Sequence, residues 1–103
     1  IETKIIVNRY YHKTSNMNNN TKIIIDSQNI NAIGKVVDKD TNKELSEITP
    51  LIMIINANSK NVQKEIDDLL RAGADPDLEI NYYNQQTTAR KLALLYRKNI
   101  KFP

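Results

Sequence analysis

The clearest hydrophobic periodicity in the chain lies between residues 49 and 73. Leu51, Ile52, Ile54 and Ile55 recur at helical spacing behind Thr49-Pro50. That pair suits a helix start, because threonine can cap and a first-turn proline gives up an N–H that has no partner there. Asn56 to Asn61 reads as a polar turn. Val62, Ile66, Leu69 and Leu70 then fall at i, i+4, i+7 and i+8, the apolar face of a second helix. Gly73 ends it, since a residue able to turn left-handed is favoured just past a helix end. Thr88-Ala89-Arg90-Lys91-Leu92-Ala93 opens a further helical stretch.

Thr49-Pro50-Leu51, a helix, and then Leu69-Leu70-Arg71-Ala72-Gly73-Ala74-Asp75-Pro76-Asp77 together resemble an ankyrin repeat. The family pattern is T-P-L-H-x-A-A at the first helix and L-L-x-x-G-A-D-x-N after the second. Thr88 to Ala93 resembles the T-A-L-D-L-A opening of a following repeat. Residues 49–93 carry the resemblance, nearly half of the chain. There are departures. Ile52 stands where the family has histidine and Ile54-Ile55 where it has two alanines. The path from Thr49 to Gly73 is about three residues longer than the family spacing.

Against the same template, Thr3-Lys4-Ile5-Ile6-Val7 would start a first helix and Thr21-Lys22-Ile23-Ile24-Ile25 a second. Ser27 to Ala32 would then occupy the place of the G-A-D-x-N turn. Ile23-Ile24-Ile25 taken alone is equally compatible with a strand; the template favours a helix. Lys35 to Glu47 is polar and without periodicity, an extended finger or a solvated loop. The resemblance thus implies an all-α ankyrin-repeat solenoid of about two and a half repeats. Its helix-turn-helix units would cover approximately 3–31, 49–77 and 88–103, with a long loop over 32–48.

Composition supports one domain: 103 residues, 40% apolar and 26% charged. No apolar run approaches the roughly 18 residues of a membrane span. Cysteine is absent, which excludes a disulfide scaffold and thiol chemistry. With two glycines and three prolines, the chain looks short of tight turns for a small β-barrel or sandwich, and this too favours helices. Ile, Asn and Lys fill 15, 14 and 11 positions, a bias that AT-rich coding produces. The chain starts at Ile1 rather than methionine. Either an exported, processed protein or a truncated cytoplasmic chain would start so.

Charge is uneven. Residues 1–79 hold 10 basic and 12 acidic groups, whereas residues 80–103 hold Arg90, Lys91, Arg97, Lys98 and Lys101 and no acid. A basic end of this kind can bind nucleic acid or an anionic membrane. The plainer account is that cations complement the C-terminal end of a helix dipole.

No catalytic set stands out. His12 is the single histidine. Asp75, Asp77 and Glu79 alternate like the first ligands of a calcium loop, but Ile80 and Gln86 stand where that loop needs glycine and glutamate. Glu65, Asp67 and Asp68 read as the solvated side of a helix. Phosphate loops and nucleophile elbows are missing. A protein without enzymatic activity, cofactor or metal is expected.

Ankyrin proteins bind partners through finger loops and the concave face of their first helices, so the resemblance implies where to look. In family register that face would carry Tyr10, Tyr11, Asn56, Ala57, Leu95 and Tyr96, with Tyr82 and Tyr83 in the loop between units. Tyrosine offers rigid contact area with a polar tip, which interfaces favour. Tyr10 and Tyr96 could instead cover core at the two ends of the array. The expected function is a monomeric protein–protein interaction module, for instance a bacterial effector or inhibitor-type protein. The alternative is nucleic-acid or anionic-membrane binding through the basic C-terminal helix.

Overall fold

A computed structural model of the chain describes residues 20–57, 60–97 and 99–102. Along them run β1 (Thr21–Ile24), β2 (Gly34–Asp38), β3 (Glu44–Ile48), α1 (Pro50–Asn56), α2 (Val62–Arg71), β4 (Ile80–Tyr82), β5 (Gln85–Thr87) and α3 (Ala89–Tyr96). Tyr10, Tyr11, His12 and the helix expected from Thr3 lie outside the described residues.

The three helices stand where periodicity and caps put them. The Thr49 hydroxyl accepts the Ile52 N–H at 3.3 Å, and the Thr88 hydroxyl accepts the Lys91 N–H at 3.2 Å. Gly73 takes φ +104° just past α2. There the Gly73 and Ala74 N–H groups return to the Leu70 and Leu69 carbonyls, 3.1 and 2.9 Å, and close the last turn as a left-handed stop should.

The fold class is α/β, not all-α. A quarter of the described residues are strand and 31% helix, so the helical ankyrin solenoid is overturned. Two segments account for the difference. Thr21–Ile24, expected as a helix, is β1, and its burial alternates as a strand's does, with Thr21 and Ile23 inward and Ile24 outward. The expected long loop over 32–48 is largely the β2–β3 hairpin. Together they form an antiparallel sheet of order β1-β2-β3, with Ile23 opposite Val36 and Lys35 opposite Glu47. β4 and β5 make a second, two-stranded hairpin.

Scarcity of glycine did not prevent these turns, because two asparagines and a tyrosine adopt the left-handed conformation instead. Asn42 bends the β2–β3 hairpin at φ 59°, and Tyr83 and Asn84 both take positive φ between β4 and β5. Two left-handed central residues give the hairpin turn whose twist matches the strands. At the first hairpin the Asp38 carboxylate accepts the Asp40 and Thr41 N–H groups, 2.8 and 3.0 Å.

A local pattern recurs, though of hairpin and helix rather than of helix pairs. Asn29 accepts the Asn31 N–H and Asp75 the Asp77 N–H, both at 2.9 Å. Each of these side-chain turns leads into an antiparallel hairpin and then a threonine-capped helix. The Asn31 amide ties the two copies together, donating to the Gly73 carbonyl at 3.0 Å and accepting the Asp75 N–H at 2.8 Å.

The core centres on α1. Pro50 through Ile55 are all buried, as befits a helix that is apolar all round. Ile66 and Leu69 of α2 and Ala89, Leu92 and Ala93 of α3 close on it, together with Ile23, Val36, Ile48, Ile80 and Ile100.

Candidate functional site

A cleft of about 290 Å³ opens where α1 stops, lined by Ile55, Asn56, Tyr82, Tyr96 and Arg97. Three separate segments build it. The end of α1 supplies Ile55 and Asn56, β4 supplies Tyr82, and the end of α3 supplies Tyr96 and Arg97.

Two side chains hold the wall made by the β4–β5 hairpin. Glu47 of β3 accepts the Asn81 N–H at 2.6 Å, and the buried Ser46 hydroxyl accepts the Tyr83 N–H at 3.1 Å while donating to the Glu47 carbonyl. Asn56 then donates through its side-chain amide to the Tyr82 hydroxyl, 2.9 Å. The phenol keeps its own proton for another acceptor. Burial pushes its pKa above the ordinary 10.0, partly offset by the Asn56 bond, so it stays a neutral donor. Tyr83 stacks edge-on against Tyr82 with ring centroids 4.8 Å apart, and burial raises its pKa as well.

Arg97 forms the floor at the end of α1. Its Nε donates to the Ile55 carbonyl at 3.1 Å and Nη2 to the Ala57 carbonyl at 2.6 Å, satisfying acceptors that the helix end leaves open. Its sequence position did not disclose this role, because the partners lie about forty residues away. Arg90 is engaged too. It grips the Asp77 carboxylate at 2.8 and 3.1 Å and lies 5.3 Å from the centre of the Phe102 ring. The tail beyond α3 folds back on α2, where the Gln63 amide exchanges two hydrogen bonds with the Lys101 backbone. The basic end is therefore not a projecting helix: α3 finishes at Tyr96, and two of its arginines serve the domain's own packing.

The positions expected to face a partner divide accordingly. Asn56, Tyr82 and Tyr96 meet in the cleft, and Tyr83 flanks it, 49% exposed. Ala57 is buried. Leu95 is 66% exposed, as is Tyr96, and Leu94 beside them, which the sequence reading passed over, is 63% exposed. Its signal was present: Leu94 falls outside the stripe Ala89, Leu92, Ala93 that packs inward.

Among the described residues no group of three or more His, Asp or Glu side chains is placed to hold a metal, and no helix is long and apolar enough to cross a membrane. No family model matches the chain, and no curated protein or solved structure matches it significantly.

Proposed function

We propose that this domain is a non-enzymatic protein-binding module whose partner covers the last turn of α3 and enters the adjoining cleft. The observation that carries the reading is Leu94-Leu95-Tyr96, three consecutive large side chains, each more than 60% exposed, beside a tyrosine-lined cleft. A single exposed leucine is ordinary. Successive helix residues point about 100° apart, so the three spread apolar surface around the end of α3 from its outer face to the cleft. Exposed apolar surface of this extent is a feature of interaction sites. Tyr82 and Tyr96 add aromatic area with a hydroxyl at its edge, as interfaces favour. Electrostatic binding of nucleic acid finds less support, since Arg90 and Arg97 are both engaged within the domain.

The test is capture from a lysate of the natural host, with wild-type domain and a Leu95→Ser/Tyr96→Ser double variant as baits. Both substitutions replace exposed side chains, so circular dichroism should be unchanged. A protein retained by the wild type and lost from the variant is the expected result. Retention should fall by no more than about tenfold between roughly 50 and 200 mM salt, whereas phosphate-driven binding would fall by orders of magnitude. Equal capture by both baits, or capture that collapses with salt, would sink the reading.

A further inference from the structure

We infer that the occupant of this surface is an acidic segment of a partner protein carrying an aromatic or branched apolar anchor. The inference rests on the partner-binding reading and adds the chemistry of the partner. Three observations carry it. Lys91, Leu94 and Leu95 fall at i, i+3 and i+4 on α3 and are all exposed, so a lysine sits on the same helix face as the two leucines. Arg97 lines the adjoining cleft. No carboxylate lines the cleft, and residues 80–103, which supply β4, β5 and α3, contain no acid at all.

Each part of the surface therefore carries a cation, Lys91 beside the leucines and Arg97 in the cleft. Arg97 uses two N–H donors on the Ile55 and Ala57 carbonyls; a guanidinium carries five. The Tyr82 hydroxyl, already accepting from Asn56, has a proton to donate toward the same opening. A ring or branched side chain can occupy the apolar part of the cleft, and carboxylates on either side of it would meet Arg97 and Lys91. Cationic ligands are disfavoured by the same two charges, despite the aromatic walls. Electrostatic complementarity of this kind sets which partner docks and in which register.

The protein contains no tryptophan, so the fluorescence of one tryptophan in a peptide reads the peptide alone. The probe is a blocked peptide with a single tryptophan set among glutamates. Its control has glutamines in place of the glutamates. The glutamate peptide should shift to shorter wavelength on titration with the domain at low salt and bind about tenfold more tightly than the control. Lys91→Gln, an exposed substitution that spares the fold, should narrow that ratio. Leu95→Ser/Tyr96→Ser should weaken both peptides. Equal affinities of the two peptides would overturn the acidic-partner inference while leaving capture of the natural partner, and its dependence on Leu95 and Tyr96, to judge the binding module separately. Absence of binding by either peptide, or tight binding of the glutamate peptide unchanged in the double variant, would also overturn it.

Discussion

Helices α1 and α3 are built alike and end in opposite surroundings. Each follows an antiparallel hairpin, and each is capped by a threonine hydroxyl that accepts the N–H three residues on. Yet α1 is buried from Pro50 to Ile55, whereas α3 buries Ala89, Leu92 and Ala93 and shows Leu94, Leu95 and Tyr96 to solvent. Local sequence set both helices; neighbours set their burial. α1 packs against both α2 and α3, while among the described residues α3 packs chiefly on α1. Among the described residues, Leu94 and Leu95 on the last turn of α3 are thus left as exposed apolar surface, which is the basis for proposing a partner there.

The widest gap between the helices should appear on truncation. Ile54→Ala in α1 removes a fully buried side chain and should cost about 2–5 kcal/mol, transfer and cavity together. Leu94→Ala in α3 should stay within about 0.5 kcal/mol, as exposed substitutions do. Urea melts of the two variants check this directly. Similar losses would mean that α3 is covered in solution, by a second copy or by part of the chain, and would remove the basis of the proposed site.

Glycine separates the regions next, each position for a different reason. In the sheet that leads to α1, a Cβ on Gly34 would stand 2.6 Å from the Ile25 Cβ and 2.7 Å from the Ile24 carbonyl oxygen, so the neighbouring chain must move. Gly34→Ala should cost roughly 1–3 kcal/mol, the range of overpacking. Before the hairpin that leads to α3, a Cβ on Gly73 meets nothing within 4 Å, but φ is +104°. Gly73→Ala should cost about 1 kcal/mol, from conformation alone. Denaturation midpoints should rank Gly34→Ala below Gly73→Ala. The reverse order would indicate that the sheet yields more readily than the helix stop.

The same contrast marks where the sequence was readable. α1, α2 and α3 each have an apolar period, a threonine cap or a glycine stop, all local signals, and these were legible. The sheet was not, for three reasons. Three consecutive isoleucines, Ile23 to Ile25, carry no period and so cannot separate a strand from a buried helix. The pairing of β2 with β3 shifts between Val36 and Val37, and both valines are buried, which breaks the alternation that would have declared the strand. Turns were sought at glycine, but Asn42 and Asn84 supply the positive φ. At the site, tyrosine and exposed leucine positions could be nominated from sequence. The joining of Asn56 to Tyr82, and of Arg97 to the end of α1, depends on contacts far apart in the chain.

If the two helix starts are equivalent, their caps should be too. Thr49→Ala and Thr88→Ala should each cost about 1 kcal/mol, since each leaves one backbone N–H without its acceptor. Thr49 and Thr88 are both buried, so water does not readily replace the lost hydroxyl. A clearly larger loss at Thr49 would show that burial of the following helix, and not the cap alone, sets the value. The double variant should be close to additive if the two starts act independently.

Acid should act on both regions, and least of all. Backbone N–H groups of Thr41 and Asp40 hold the Asp38 carboxyl below the ordinary 3.8, and the Arg90 guanidinium does the same for Asp77. A lowered native value means that each carboxylate stabilises the fold above its unfolded pKa and loses that contribution as pH falls through the native one. Asp77 is exposed and Asp38 partly so, and the effects are small and open to screening. They should differ in how salt changes them. The Asp77–Arg90 pair, ahead of α3, is an ion pair and should weaken as ionic strength rises. Asp38, in the turn ahead of α1, faces backbone dipoles at hydrogen-bond distance and should change less. Carboxyl titration by NMR at two salt concentrations reads both at once. Both midpoints should lie below 3.8, with that of Asp77 moving upward in salt and that of Asp38 nearly still. An Asp38 midpoint at the ordinary value would mean that its turn is open in solution. The β2–β3 hairpin would then rest on its ladder, the Lys35–Glu44 ion pair and its buried side chains.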